Sequence, residues 1–153
     1  MQKQIDELIL ISCVGEKNPQ EPIAREFYSS DWFKKAIGWY DRKSEDAKNN
    51  EKLVMGGILS AKHGLISFYK WLEPYEKTLN DMNVDQRQEW TKLVCKQFAD
   101  KYPVTPKKIT ILAGQKYREF LEPWLRFAYQ GTEVDVPMKG LGIGQQKQWL
   151  MNN

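Results

Sequence analysis

The feature that most constrains the fold is an uninterrupted aliphatic run near the start of the chain, Leu8-Ile9-Leu10-Ile11, which is followed by the small residues Ser12 and Cys13. A run without polar alternation is typical of a strand that is buried on both faces, as in a parallel sheet covered by helices. The run is also far shorter than the about 20 apolar residues that a membrane-spanning helix needs. We therefore predict a buried strand that ends at Cys13.

Three further segments have the composition of strands, at residues 53–60, 108–113 and 133–137, and segments with helical periodicity separate them. Alternating strands and helices are typical of an α/β domain with a mostly parallel sheet. Right-handed connections between parallel strands place helices on both faces of such a sheet. We therefore predict one α/β domain over residues 1–153, a three-layer α/β/α sandwich around a mostly parallel four-stranded sheet.

The first helix is predicted to begin after Ser29 or Ser30, because a serine can cap a helix and the next apolar residues have helical spacing. The polar segment 44–52 is interpreted as a surface loop. After the second strand, residues 61–81 are rich in aromatic side chains and are expected to form a long loop. Loops of this length inside a compact domain usually carry function.

The later helices are predicted from capping residues and from breaks in periodicity. Asn83 and Gln86 have the spacing of a capping box, so a helix is expected to begin there. Another helix should follow Gly114 and should be kinked by Pro123. A short last helix is predicted over residues 145–151.

The composition excludes several classes of protein. Two cysteines, Cys13 and Cys95, without metal-ligand spacing and a single histidine, His63, are typical neither of a disulfide framework nor of a zinc site. We predict no metal and no other cofactor. The aliphatic run lies behind Asp6 and Glu7 without a cleavage site, so we expect no secretory leader, no membrane attachment and a cytoplasmic location. The net charge of +3 permits contact with phosphate without requiring it.

Candidate site residues are those that follow the strands, because ligands of parallel sheets bind at the carboxyl ends of the strands. The first strand ends in Ser12 and Cys13, and the turn after it can present backbone N–H groups to an anion with Lys17 as the counter-charge. Cys13 is a candidate nucleophile if a base or a lowered pKa activates it. The alternative is that Cys13 is a small residue that packs a tight turn.

The second strand end carries Ser60, Lys62 and the only histidine, His63. His63 has an ordinary pKa suited to proton transfer or to a hydrogen bond with a leaving group, although an isolated histidine is more often structural. Lys62 is a candidate phosphate ligand or a solvated lysine. Downstream, Tyr75 belongs to a set of aromatic rings that can stack on a planar base or cover the core.

The third strand end offers Gly114, Gln115, Tyr117 and Arg118. The Gln115 amide can read a base edge, and the Arg118 guanidinium can fork onto a phosphate or a carboxylate. The fourth end is a glycine loop that lacks the dinucleotide-binding spacing but allows close approach of a ligand to the backbone. Its candidate contact residues are Gly140, Gly142, Gly144 and Gln145.

Six blocks of sequence, taken together, resemble a domain-of-unknown-function family found in bacteria and their phages. The blocks are Ile11-Ser12-Cys13, Tyr28-x-Ser30-x-x-Phe33, Leu59-Ser60-Ala61-Lys62-His63-Gly64-Leu65, Pro74-Tyr75-x-x-Thr78-Leu79, Leu112-Ala113-Gly114-Gln115-x-Tyr117-Arg118 and Gly140-Leu141-Gly142-Ile143-Gly144-Gln145-Gln146. The third and fourth blocks are also similar to YaaA-type peroxide-stress proteins. The strand–helix layout is more distantly similar to uracil-DNA-glycosylase-like domains. The acidic or asparagine motif of the glycosylases after the first strand and their histidine loop before the last helix are missing, and His63 lies elsewhere.

These residues and resemblances lead to three functional hypotheses. The first is an enzyme that acts on a nucleobase, nucleoside or nucleic acid by N-glycosidic hydrolysis, with His63 assisting the leaving base, Gln115 reading its edge, Tyr75 stacking on it and Cys13 as a further catalytic candidate. The second is a non-catalytic DNA-binding or stress-response protein of the YaaA-like type, whose lysines and arginine touch phosphates. The third is a small nucleotide-binding sensor that uses the glycine loop.

All three hypotheses place the functional residues together at one edge of the sheet. The side chains expected to converge there are Ser12, Cys13, Lys62, His63, Gln115, Arg118 and the backbone of Gly142. The expected partner is a nucleobase, a nucleotide or a nucleic acid.

Overall fold

The computed structural model describes residues 3–13 and 15–153, which contain five strands and six α-helices. The strands are β1 (Glu7–Ser12), β2 (Val54–Ser60), β3 (Gly64–Ile66), β4 (Lys108–Leu112) and β5 (Glu133–Asp135). They form one sheet in the order β3-β2-β1-β4-β5. β1 is parallel to both β2 and β4, β4 is parallel to β5, and β3 is antiparallel to β2. The aliphatic run of β1 therefore lies at the centre of a mostly parallel sheet, and the α/β class predicted from the sequence is confirmed.

The sheet has five strands where the sequence analysis predicted four. The missed strand, β3, is only three residues long and lies inside the segment that was predicted to be a loop. Gly64 begins β3 with a φ of +73°, a left-handed conformation that glycine adopts without strain. Because Ser60 pairs with Gly64, a turn of three residues reverses the chain directly into β3.

The central strand is buried on both faces, as the sequence predicts. Leu8 and Leu10 belong to one hydrophobic cluster, and Ile9 and Ile11 belong to another. All four side chains have no solvent exposure. Successive residues of a strand point to opposite faces, so each cluster covers one face of the sheet.

The helices are α1 (Ala24–Phe27), α2 (Asp31–Asn49), α3 (Val84–Lys101), α4 (Gln115–Arg118), α5 (Leu121–Ala128) and α6 (Ile143–Asn152), and a 3-10 turn covers Leu79–Asp81. α2 packs against β1, β2 and α6, whereas α3 packs against β3, α4 and α5. Within the described ranges, no helix is both long enough and apolar enough to cross a bilayer.

Both predicted helix caps are present. The Ser30 hydroxyl accepts a hydrogen bond of 3.1 Å from the backbone N–H of Phe33. Asn83 and Gln86 form the reciprocal capping box, with two hydrogen bonds of 2.9 Å. The predicted loop over residues 44–52 is wrong, because α2 continues to Asn49. Only Ala47 is buried in its last turns, so the polar composition concealed the helix.

The helix predicted after Gly114 is two helices, α4 and α5, instead of one kinked helix. The interruption lies at Glu119 and Phe120, three to four residues before Pro123. A proline ring clashes with the carbonyl of the fourth residue before it, which here is Glu119. The break therefore precedes Pro123, and the proline lies in the first turn of α5, where it is tolerated.

The glycines of β2 make room for the segment that follows β3. A Cβ atom on Gly56 would lie 2.5 Å from the ring of Phe68, and one on Gly57 would lie 2.9 Å from a methyl group of Leu65. Gly56 therefore has no room for a side chain between the rings of Phe68 and Tyr40, whereas at Gly57 the Leu65 side chain would have to shift. The bare backbone of β2 thus lets Phe68 pack directly onto the sheet. This contact fixes the start of residues 68–75, which we call the aromatic segment.

Candidate functional site

The carboxyl ends of β1, β2 and β4 lie at the same edge of the sheet, which we call the carboxyl edge. The connection from β1 leads to β2 on one side, and the connection from β3 crosses to β4 on the other side. The strand order therefore reverses at β1, and parallel α/β sheets bind their ligands beside such a reversal. Cys13, Ser60 and Ala113 follow or end the three strands at this edge.

A group of buried hydroxyls forms the centre of the carboxyl edge. The Tyr75 hydroxyl lies 2.6 Å from the Tyr28 hydroxyl and 2.8 Å from Ser60 Oγ. Ser60 Oγ also accepts a hydrogen bond of 3.2 Å from the backbone N–H of His63. These bonds connect the loop after β1, the end of β2 and the aromatic segment. We call Cys13, Tyr28, Ser60, Tyr75 and Tyr117 the tyrosine cluster.

Tyr117 closes the cluster from the side of β4. Its hydroxyl donates a hydrogen bond of 3.0 Å to the carbonyl oxygen of Cys13 and lies 3.8 Å from the Cys13 sulfur. Trp90 supports both halves of the cluster: its ring edge packs on Tyr117 with centroids 5.5 Å apart, and its indole N–H donates to the Ser60 carbonyl at 2.8 Å. α3 therefore fixes the positions of β2 and α4 with one side chain.

The phenols of the cluster are held in their protonated form. Burial raises the pKa of Tyr75 to about 12, and the proximity of Cys13 adds to the effect. The pKa of Tyr28 and the pKa of Tyr117 are also raised, first by burial and then by Cys13. At neutral pH these groups are thus uncharged, and they can donate and accept hydrogen bonds without acting as bases.

Two lysines lie over the exposed side of the cluster. The ammonium groups of Lys17 and Lys62 lie 5.2 Å and 5.5 Å from the centroid of the Tyr75 ring. Within the described residues, neither lysine forms an ion pair with a carboxylate. Lys17 lines a cavity of about 350 Å³ together with Tyr75, Pro74 and Glu76. The mouth of the tyrosine cluster thus holds two cations that a ligand with negative charge can engage.

The lysines at the opposite edge of the sheet are paired. Lys107 lies 3.1 Å from Asp6, and Lys108 lies 3.9 Å from both Glu133 and Asp135. The amino ends of the strands therefore balance their own charge. Lys17 and Lys62 at the carboxyl edge therefore differ from Lys107 and Lys108, which carboxylates already hold.

His63 lies beside the cluster and not within a catalytic pair. Its ring meets the Tyr75 ring edge to face, with centroids 5.4 Å apart. Burial, with added repulsion from Lys62 and Lys70, lowers the pKa of His63 below its ordinary value of 6.5. Its Nε2 atom is buried and has no hydrogen-bond partner among the described residues. At neutral pH His63 is therefore an uncharged imidazole with one unused polar atom.

Tyr75 has a different role from the stacking platform that the sequence suggested. The residue is only 9% exposed, and its ring stacks on Phe27 with centroids 5.8 Å apart and an interplanar angle of 25°. A base would need a free ring face, and Phe27 and the lysines occupy the faces of this ring. Tyr75 contributes its hydroxyl to the cluster instead.

Gln115 and Arg118 line a second, separate cavity of about 170 Å³, together with Gly114 and Gly140. Arg118 is buried and uses two of its donors internally: Nε donates to the Ala113 carbonyl at 2.8 Å, and one terminal nitrogen lies 3.0 Å from Glu122. The Glu122 carboxylate therefore already occupies one arm of the guanidinium fork. Gln115 is exposed at the rim of this cavity.

Part of the glycine loop, residues 140–145, has a structural role. Gly140 has a φ of +84°, which favours glycine. The backbone N–H of Gly142 donates to the Gln145 side chain at 3.0 Å, so Gln145 helps to begin α6 and is not a free ligand residue. A Cβ atom on Gly142 would meet only Gln145, at 3.8 Å, and one on Gly144 would meet nothing within 4 Å. The backbone around Gly142 and Gly144 is therefore open.

The structure brings together some of the predicted site residues and separates others. Those at or beside the tyrosine cluster are Ser12, Cys13, Lys17, Ser60, Lys62, His63, Tyr75 and Tyr117. Those around the second cavity are Gly114, Gln115, Arg118 and Gly140, with Gly142, Gly144 and Gln145 following at the start of α6. His63 and Gln115 line different cavities, so they do not form one catalytic pair in this arrangement.

Two members of the site were not predicted. Tyr28 belongs to one of the six sequence blocks, but no pattern in the sequence shows that its hydroxyl meets Tyr75, which is 47 residues away. Trp90 has the position of a core residue in the helical stripe of α3, and its donor to Ser60 depends on tertiary structure. Ser12 lies at the predicted place, and its Oγ is buried without a partner among the described residues.

The cluster offers hydrogen-bonding groups, a thiol and unpaired cations. No group of three or more His, Cys, Asp or Glu side chains that could hold a metal ion is found in the described part of the chain. In the described residues no carboxylate makes a hydrogen bond to the tyrosine cluster. The arrangement can bind a polar or anionic ligand and can protonate or hydrogen-bond a leaving group.

The fold and the site define an α/β protein with a mostly parallel sheet and a polar cluster at its strand reversal. Residues 8–152 match the family of unknown function DUF6884, and the chain belongs to that family. No curated protein and no solved structure matches the chain significantly. The predicted membership of a domain-of-unknown-function family is confirmed, whereas the likeness to YaaA-type proteins and to glycosylase-like domains finds no support in these comparisons.

Proposed function

We propose that the protein binds a nucleotide or a nucleic acid at the carboxyl edge, with a phosphate group between Lys17 and Lys62. The observation that carries this proposal is the pair of lysines over one buried ring, 5.2 Å and 5.5 Å from its centroid and without carboxylate partners among the described residues. An anionic group beside the Tyr75 ring would be attracted by both ammonium groups. At the amino ends of the strands, by contrast, carboxylates already pair with Lys107 and Lys108.

The hydroxyls beneath the lysines suit the rest of such a ligand. Neutral phenols and a serine hydroxyl hydrogen-bond sugar hydroxyls and base edges without adding charge. The strand reversal at β1 is also the place where sheets of this kind bind nucleotides. The three-layer α/β/α sandwich is part of the same proposal, and the two clusters on opposite faces of β1 support it.

N-glycosidic hydrolysis is the second candidate, and the unused Nε2 atom of His63 favours it. In this reaction water adds to the sugar carbon, the bond to the base breaks, and the base leaves with a proton. A neutral imidazole beside the cluster can hydrogen-bond the departing base. Cys13 is a further candidate for the same reaction from its position at the end of β1. A non-catalytic DNA-binding or stress-response role of the YaaA-like type and a nucleotide-sensing role need only the binding step.

Binding is tested by calorimetry and thermal shift with a nucleoside, its monophosphate and inorganic phosphate. We expect the monophosphate to bind more tightly than the nucleoside, because only the monophosphate engages the lysines. Lys17→Ala and Lys62→Ala should each weaken monophosphate binding. Lys92→Ala is the matched control, since Lys92 is exposed and pairs with Glu89 on α3. Equal binding of nucleoside and monophosphate, or an equal loss in the Lys92→Ala control, contradicts the proposal.

Hydrolysis is tested by mass spectrometry of a panel of nucleosides and modified DNA after incubation with the protein. Release of a free base that is lost in His63→Ala supports N-glycosidic chemistry. Release that is unchanged in His63→Ala contradicts the role of His63. Binding without release leaves the nucleotide-binding proposal intact and removes the enzymatic one.

A further inference from the structure

We propose that a groove along the β3 edge of the sheet binds a single strand of nucleic acid and leads it to the tyrosine cluster. This inference rests on the nucleotide-binding proposal and names the form of ligand that the site receives. It is carried by a groove with basic lining, by two exposed aromatic residues that flank Lys70 of that groove in the sequence, and by the contact of the groove residue His63 with Tyr75.

The groove has about 490 Å³ of space and is lined on one side by β3 and on the other by α3. Its charged or titratable lining consists of His63, Lys70 and Lys101, and no carboxylate lines it. Neither lysine forms an ion pair with any residue that the structure describes. A groove with cations and without carboxylates is complementary to a chain of phosphates.

The floor of the groove is rigid. Gln97, from α3, accepts a hydrogen bond from the Leu65 N–H at 2.7 Å and donates one to the His63 carbonyl at 2.9 Å. Both ends of its amide are therefore used to join α3 to β3. The spacing between Lys70 on one wall and Lys101 on the other is fixed by this bridge.

Two aromatic side chains that neighbour Lys70 in the sequence face the solvent. Tyr69 is 67% exposed and Trp71 is 73% exposed, and they flank Lys70 in the sequence. Large exposed rings have an energetic cost in water, and ring faces of this kind stack on unpaired bases. An alternation of aromatic, basic and aromatic residues supplies both stacking and charge for one strand.

The backbone presents these rings in a defined position. The Lys70 carbonyl accepts a hydrogen bond of 2.8 Å from the Ala24 N–H, and the Leu72 N–H donates one of 2.7 Å to the Pro22 carbonyl. Phe68 and Leu72, on either side of the exposed residues, are buried in the core. The segment is therefore anchored at both ends, and the exposure of Tyr69 and Trp71 is not a consequence of a loose loop.

His63 connects the groove to the tyrosine cluster. His63 lines the groove, and its ring contacts the Tyr75 ring at 5.4 Å between centroids. Four residues after Trp71 the chain reaches Tyr75 itself. A strand whose phosphates lie on Lys70 and Lys101 can therefore place one nucleotide at Lys62 and the cluster.

A single strand fits these features better than a duplex or an acidic peptide. A duplex hides the faces of its bases, so Tyr69 and Trp71 would have nothing to stack on. An acidic peptide would match the lysines but would not use the rings. Both alternatives are outcomes of the test below.

The test measures fluorescence anisotropy of a labelled oligothymidylate with the full chain. The strand should bind more tightly than a duplex of equal length, and binding should weaken steeply with salt. Trp71→Ala should weaken strand binding by about tenfold, the change expected for one lost base stack. Lys70→Ala should weaken binding and reduce the salt dependence. The matched controls are Phe127→Ala, which removes a 77% exposed ring on α5, and Lys92→Ala.

Equal losses in Trp71→Ala and Phe127→Ala overturn the inference, as does duplex binding that equals strand binding. Competition by polyglutamate as effective as competition by unlabelled strand also overturns it. Nucleoside monophosphate binding separates this inference from the proposed function, because Trp71→Ala should leave it unchanged. If the wild-type protein binds the monophosphate but not the strand, the groove inference is refuted and the proposed function stands. Absence of monophosphate binding refutes the site at Lys17 and Lys62.

Discussion

Replacing Tyr75 by phenylalanine removes the one hydroxyl that joins Tyr28 to Ser60 and leaves the ring in place. Two hydrogen bonds are lost, of 2.6 Å and 2.8 Å. Each contributes about 1 kcal/mol to the free energy of unfolding, and a buried hydroxyl left without a partner costs about 1–3 kcal/mol. Tyr28 loses its partner, whereas Ser60 keeps the His63 N–H. We therefore expect the free energy of unfolding to fall by about 2–3 kcal/mol.

Urea denaturation followed by tryptophan fluorescence measures this loss. For a domain of this size a change of that magnitude lowers the Tm by roughly 4–12 °C. Tyr69→Phe is the matched control, because it removes a hydroxyl from a 67% exposed ring and should change the free energy of unfolding by less than about 0.5 kcal/mol. If Tyr75→Phe is as stable as Tyr69→Phe, the hydroxyl network does not hold the three segments together and the reasoning is refuted.

Two further predictions concern the glycine loop and the pH dependence of stability. Gly140→Ala should lower the free energy of unfolding by about 1–2 kcal/mol because of its φ of +84°. Gly142→Val should cost about 1 kcal/mol or less, because the added Cβ atom would meet only the Gln145 side chain. Urea denaturation measures both changes, and an equal loss in the two variants would contradict the role of the φ angle. The raised pKa values of Tyr28, Tyr75 and Tyr117 predict that the free energy of unfolding falls as the pH rises above the ordinary tyrosine pKa near 10. Above that pH the tyrosines of the unfolded chain lose their protons, whereas Tyr75 in the folded chain keeps its proton up to about pH 12. Urea denaturation over this pH range measures the fall, and a flat profile would contradict the burial of these phenols.

The sequence was sufficient to predict the elements whose signals are local. The aliphatic run of β1 and the capping residues Ser30 and Asn83 depend on neighbours within a few positions, and all were placed correctly. The helix over residues 44–49 was missed because its polar composition resembles that of a loop, and only the packing of α2 distinguishes the two. The strand β3 was missed because three residues carry too little pattern.

For the site, the sequence predicted which strand ends supply residues but not which side chains meet. The rule for parallel sheets placed Cys13 and Ser60 at one edge, and both belong to the tyrosine cluster. Arg118 and Glu122 are four residues apart, which is the spacing of ion pairs on one helix, so their ion pair could have been predicted from the sequence. The pair forms even though Arg118 ends α4 and Glu122 lies in α5. The meeting of Tyr28 with Tyr75 depends on the path of the aromatic segment, which no local pattern determines.

The distribution of strand lengths in the sheet also bears on how the protein behaves at high concentration. The three inner strands have five to seven residues, whereas the outer strands β3 and β5 have three residues each. Free N–H and C=O groups at a sheet edge are templates for association with other chains, and short charged edges suppress it. β5 places Glu133 and Asp135 at its edge, and the turn before β3 carries Lys62 and His63. The protein thus offers little open backbone for edge-to-edge pairing with another chain, because its outermost strands are short.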